Sequence, residues 1–133
     1  MIVVDTSALI AILDKEPDAA LYAEAIAEAD SPLISAATLL ELHIVMLNRH
    51  GARAAQIVDR LIQDAAFQIE NSTAQHFELA REAYARYGRG KNVAGLNYGD
   101  CFSYALARAT GLPLLFNGED FSKTDLVAAL PNS

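Results

Sequence analysis

Four acidic positions in this chain stand where solvation alone does not explain them. Asp5 ends the apolar run IVV at residues 2 to 4. Glu41 lies within AATLLELHIVML, where its neighbours three and four residues away are Ala37, Thr38, Ile44 and Val45, none of them a cation. Asp100 follows the turn-forming Gly99 in LNYGDC and heads the apolar stretch FSYALARATGL. Asp120, with Glu119 beside it, comes shortly after LPLLFN and Gly118. The chain has 17 acids in all, and Glu24, Glu28, Asp59, Asp64, Glu78 and Glu82 sit on amphipathic stretches as a solvated helix face requires.

Each of the four has an ordinary reading beside a chemical one. Asp5 can cap the helix that begins near Thr6 or Ser7, and Asp100 can cap a helix or serve its first turn, favoured by about 0.3–1 kcal/mol through the helix dipole. Glu119 and Asp120 can be an acidic turn. Glu41 is harder to dismiss, because isolated burial of a carboxylate costs several kcal/mol and Glu is rarely buried without a partner.

Gathered in one crevice, these carboxylates would repel one another, and some would take up protons unless a cation stood between them. Oxygen ligands without Cys or His select a hard ion such as Mg²⁺ or Mn²⁺, which keeps part of its water shell. Thr6, Ser7 and Asn117 add neutral polar groups able to orient a carboxylate, a metal-bound water or a phosphate oxygen. A weakly caged divalent ion with open positions suits phosphoryl chemistry.

The elements around these residues predict how they meet. Residues 2 to 4 read as a strand followed by a helix, with Leu9, Ile12 and Leu13 at helical spacing. Residues 19 to 29 read as an Ala-rich helix, 33 to 35 as a buried strand, and Ala36 to Asn48 or His50 as a long helix closing at Gly51. An amphipathic helix over 52 to 66, a strand over 67 to 70 and a helix from a Ser72 or Thr73 cap through Tyr87 follow. GRGKN, 88 to 92, reads as a loop, 100 to 110 as a helix stopped by Gly111, and 112 to 117 as a strand whose Pro113 belongs at its first turn or edge. The tail offers one short element, DLVAAL.

Short apolar strands alternating with helices predict a three-layer α/β/α fold with a central, mainly parallel sheet of four or five short strands. Ligands of such sheets bind beyond the carboxyl ends of the strands, where Asp5 and Asp120 both fall. A length of 133 residues suits a single domain over 1–133.

Composition narrows the choice further. A net charge of -7 argues against loose, charge-driven binding to nucleic acid, so a nucleic-acid role would have to account for the acidity. Cys101 is the single cysteine, which excludes an intramolecular disulfide and argues against a thiolate metal site. His43, His50 and His76 have no partner at zinc-like spacing. MIVVDTSALIAIL lacks a basic leader region and is interrupted by Asp5, and no stretch suits a bilayer, so the expectation is a cytoplasmic protein with no membrane role.

VVDTSAL, the SAATLLEL context of Glu41, LNYGDCFSYALA and PLLFNGEDFSKTDL, in this order over essentially the whole chain, together resemble the PIN-domain ribonucleases. The nearest group resembles the VapC toxins of bacterial toxin-antitoxin pairs. The resemblance implies a Mg²⁺- or Mn²⁺-dependent endoribonuclease with Asp5, Glu41, Asp100 and Asp120 as its catalytic acids, of which Asp5, Asp100 and Asp120 hold metal. Thr6 or Ser7 and Asn117 match accessory polar positions. It implies hydrolysis of RNA phosphodiesters by metal-activated water, leaving 3'-hydroxyl and 5'-phosphate ends, a VapB-like antitoxin partner and a homodimer.

Arg81, Arg86, Arg89 and Lys91 concentrate cations upstream of Asp100, and Arg86, Arg89 and Lys91 are candidates for guiding the RNA backbone; a solvated helix end explains the same residues. Two rival readings remain beside this one. A phosphatase with an aspartyl nucleophile would want a second Asp two residues after Asp5, where Ser7 stands. A non-catalytic metal-binding or signalling module of receiver type would want paired acids after the first strand and a phosphoacceptor Asp after a middle one, and the sequence has neither.

Overall fold

A computed structural model describes residues 1–90 and 92–130. Its elements are β1 (Val3–Val4), α1 (Thr6–Leu13), α2 (Ala19–Glu28), β2 (Leu33–Ser35), α3 (Ala36–His50), α4 (Ala54–Asp64), β3 (Gln68–Glu70), α5 (Ala74–Tyr87), α6 (Tyr98–Thr110) and β4 (Leu114–Leu115). The four strands form one parallel sheet in the order β3-β2-β1-β4.

Alternation along the strands decides which layer each side chain joins. Val4, Ile34 and Leu115 face a core made with α1 to α4 through Leu9, Tyr22, Ile26, Leu42, Met46 and Val58. Val3, Leu33 and Leu114 face the opposite layer, with Ala83 and Tyr87 of α5, Tyr104, Leu106 and Ala107 of α6, and Phe121. The expected three-layer α/β/α arrangement is therefore the one observed. Leu9, Leu42 and Leu114 are fully buried, so truncating any of them to Ala would cost ~2–5 kcal/mol.

Several boundaries differ from those read in the sequence. α6 begins at Tyr98 rather than at residue 100, because Asn97 is its cap and closes a reciprocal pair of hydrogen bonds with Asp100. Residues 51–53 form a separate 3₁₀ turn before α4, with Gly51 at φ 62°. β4 is limited to two residues, since Pro113 has no N–H and offers only its carbonyl, to Val3 N at 2.9 Å. The DLVAAL segment forms no helix. It runs alongside β4, with Leu114 N donating to Val127 O at 2.9 Å and Ala129 N to Leu114 O at 2.8 Å, and so extends the sheet by a single bridge at Ala128. The 88–92 loop is closed at its base by a bridge between Gly88 and Leu96.

From β1 the chain crosses to β2 and β3 on one side, then returns to place β4 on the other. The crevice outside the carboxyl ends of β1 and β4 is thus the point where strand order reverses, the place where parallel sheets receive ligands.

Candidate active site

Asp5 follows β1 directly, and its position as cap of α1 fixes where its carboxylate lies. Oδ2 accepts the backbone N–H of Ser7 at 3.0 Å and the Ser7 hydroxyl at 2.7 Å, while Oδ1 accepts the Ser103 hydroxyl at 2.5 Å. Only 3% of the residue is exposed. Because the Ser103 proton is committed to a carboxylate, the Thr38 hydroxyl 3.3 Å away must donate to Ser103 Oγ. Ser7 Oγ also accepts Asn117 N at 2.9 Å, which ties the end of β4 to the end of β1. The capping reading of Asp5 is thus the one its hydrogen bonds show, and it fixes the carboxylate at the carboxyl end of β1.

Glu41 projects from α3 toward this crevice, half-buried. Its Oε1 accepts the Thr6 hydroxyl at 2.8 Å, so α1 supplies the partner that its own helix lacks. Burial is the largest influence raising its carboxyl above the usual range; the Thr6 bond works against that rise, and the negative charge of Asp5 adds to it.

Asp100 stands at the third position of α6. Asn97 Oδ1 accepts Asp100 N at 2.9 Å, and Asp100 Oδ2 accepts Asn97 N at 3.0 Å. Its carboxyl is pushed up to about 8, first by burial and then by the charges of Asp5 and Asp120, with the Asn97 N–H pulling the other way. The Asp120 carboxylate nearby also favours the protonated form of Asp100. The Asp120 residue is itself exposed at the rim. Glu119 beside it is exposed as well.

The other predicted residues divide. Thr6 and Ser7 serve the acids directly, as their hydrogen bonds show. Asn117 contributes its backbone N–H, while its side chain turns outward: Oδ1 accepts Tyr22 OH at 2.9 Å and Nδ2 donates to Glu16 Oε1 at 3.4 Å. Arg86 lies over the ring of Tyr87 at 4.8 Å and 3.8 Å from Asp125 Oδ2. Arg89 is exposed in the loop, where its N–H holds Leu96 O at 2.8 Å. Lys91 lies outside the described residues.

Sequence reasoning missed Ser103 and Tyr22. Ser103 lies three residues after Asp100 on the same helix, a spacing that puts both on one face and would have signalled it. Nothing local marks Tyr22, whose partner is 95 residues away.

Oxygen donors without sulfur or imidazole suit a hard divalent ion, which would offset both the burial of Asp100 and the repulsion that Asp5 and Asp120 add to it. Among the described residues no three acid, His or Cys side chains form a ready-made cage. Mg²⁺ needs none, since one or two carboxylates and several retained waters are its usual shell. The residues present therefore fit an open, partly hydrated site.

Comparison with known proteins bears on the family and the fold. The PIN domain family model matches residues 2–127. Ribonuclease VapC of Mycolicibacterium smegmatis is 48% identical over 95% of this chain and 98% of its own, and Ribonuclease VapC28 of Mycobacterium tuberculosis is 49% identical over 96% and 97%. The fold is shared with the crystal structure of Mycobacterium tuberculosis VapC20, a Sarcin-Ricin loop cleaving toxin, at a TM-score of 0.78 and 23% identity over 98% of this chain and 100% of that one. It is shared also with VapBC2 from Rickettsia felis, bound to a DNA fragment from their promoter, at 0.74 and 17% over 96% of each. By the family model and by these identities over nearly its full length, this chain is a member of the PIN domain family and, within it, of the VapC ribonucleases.

Proposed function

We propose that residues 1–133 act as one PIN-like domain, a Mg²⁺- or Mn²⁺-dependent endoribonuclease that serves as the toxin of a toxin-antitoxin pair. The observation that supports this reading is geometric: Asp5, fixed by Ser7 and Ser103, Glu41, bound to Thr6, and Asp100, boxed with Asn97, come from three helices to the carboxyl ends of β1 and β4.

Asp5, Asp100 and Asp120 are the residues that would hold the ion. When bound, it would lower the pKa of coordinated water and neutralise charge growing on the phosphate. Asp5 is kept from rotating by Ser7 and Ser103, so its oxygens need no reorganisation when the reaction proceeds. Glu41, steadied by Thr6, is positioned to orient the attacking water and receive its proton. Arg89 and Lys91 would guide the RNA backbone, whereas Arg86 is engaged with Asp125 and Tyr87.

The partner would be a VapB-like antitoxin, with a second copy of this chain completing a homodimer. Exposed Leu40, Ile44 and Leu47 on α3 and Leu21 on α2 offer apolar surface for such contacts. No helix among the described residues is long and apolar enough to cross a membrane.

Purified protein free of antitoxin should cut RNA in Mn²⁺ or Mg²⁺, stop in EDTA, and leave 5'-phosphate ends. Asp5→Asn should fall by roughly 10²-fold or more, as removal of a charge-stabilising group does. Undiminished cutting by Asp5→Asn in the presence of EDTA would remove the proposal.

A further inference from the structure

Gly99 is a weak helix former in the first turn of α6, and its φ lies outside the left-handed region, so backbone freedom does not account for it. Space does. A Cβ at this position would overlap Glu41 Oε2, and would fall 2.6 Å from Cδ and 2.8 Å from Oε1 of the same carboxylate. Oε1 of the same carboxylate takes the Thr6 hydroxyl at 2.8 Å. Glu41 is thus held between a hydroxyl on α1 and a bare Cα on α6.

We infer that Gly99 is a positioning residue, whose missing side chain is the seat of the Glu41 carboxylate and sets that carboxylate's place relative to Asp5 and Asp100. This rests on the nuclease reading for its consequence in catalysis, but the clamp itself is geometric. Gly99→Ala would not unfold the helix, since Ala is the better helix former. The obstacle it meets is the end of a flexible, half-buried side chain, which yields by swinging off Thr6. A displacement on the order of 1 Å at a catalytic group costs up to about 10²-fold in rate.

The test combines kinetics and crystallography on Gly99→Ala, Glu41→Asp, the double variant and Thr6→Val. Gly99→Ala should keep its helix content and melting temperature, lose about 10- to 100-fold in kcat with little change in KM, and show the Thr6–Glu41 hydrogen bond broken. Glu41→Asp withdraws the carboxylate from the added methyl, so Gly99→Ala should cost less than about threefold in that background. Thr6→Val opens the clamp from the other side without bulk and should also lower kcat. An intact Thr6–Glu41 bond in the Gly99→Ala crystal, or an equal loss in both backgrounds, overturns the inference. Failure of the wild-type protein to cut RNA would instead overturn the nuclease reading, leaving the crystallographic comparison to decide the clamp.

Discussion

Ser103 donates its hydroxyl to Oδ1 of Asp5 at 2.5 Å, joining residues 98 apart in the chain inside the buried interior. This bond does for one oxygen of Asp5 what Ser7 does for the other. Ser103→Ala leaves Oδ1 without its donor, and a hydrogen bond to a charged group is worth about 1.5–3 kcal/mol. We expect the metal-free variant to melt roughly 5–15 °C lower, with RNA cleavage reduced as Asp5 gains freedom. Calorimetry showing an unchanged melting temperature would mean the bond carries no weight.

Stability should depend on pH through Asp100. The folded chain keeps this proton up to about pH 8, against an ordinary value of 3.8. Between these limits the folded state binds more protons than the unfolded one, so rising pH favours unfolding. This contribution is complete in acid and lost as pH climbs through 8. In metal-free protein the melting temperature of Asp100→Asn relative to wild type should therefore rise from about pH 4 to pH 8 and then level, and saturating Mg²⁺ should suppress the rise. A difference that stays flat across the range contradicts the assignment.

Tyr22 is buried and its phenol is kept protonated, chiefly by burial and further by Asp18 and Glu16, so it remains a donor to Asn117 Oδ1. Tyr22→Phe removes the tether between α2 and the turn leading to Asp120. A loss of about 1 kcal/mol in stability is expected. Cleavage should fall several-fold with metal affinity, measurable by titration calorimetry with Mn²⁺, and an unaltered affinity would show that the turn holds its shape unaided.

The segment that carries Asp120 is also fastened further along. Tyr104 OH donates to Asp125 Oδ1 at 2.7 Å, and Asp125 Oδ2 meets Arg108 at 3.3 Å and Arg86 at 3.8 Å. Tyr104→Phe should cost about 1 kcal/mol and speed amide exchange at Leu114 and Ala129, whose N–H groups close the bridge to the tail. Equal exchange rates in variant and wild type would assign the tail's stability to Phe121 packing alone.

The layers were legible because period-two and period-3.6 patterns survive in short segments: Val3 and Val4 split between two cores as alternation demands. Asp5, Glu41 and Asp100 were legible because a carboxylate among apolar residues needs a reason. Ser103 and Tyr22 were not, since a serine or tyrosine on a helix is ordinary until its distant partner is known. The start of α6 was misjudged by two residues because Asn97 and Asp100 are both competent caps, and only the reciprocal bonding of the box chooses between them. The contact of Arg86 with Asp125 was not legible because the two lie 39 residues apart in the chain.

The triple hold on Asp5 would bear on which ion the proposed metal site accepts. Calcium asks for six to eight oxygens at about 2.3–2.6 Å and a lining that can spread to meet it, whereas magnesium asks for a tight octahedron at about 2.0–2.1 Å. A carboxylate stitched to Ser7 and Ser103 has little room to spread. Discrimination against the larger ion would then arise from stiffness in the scaffold, with no residue devoted to telling the two apart.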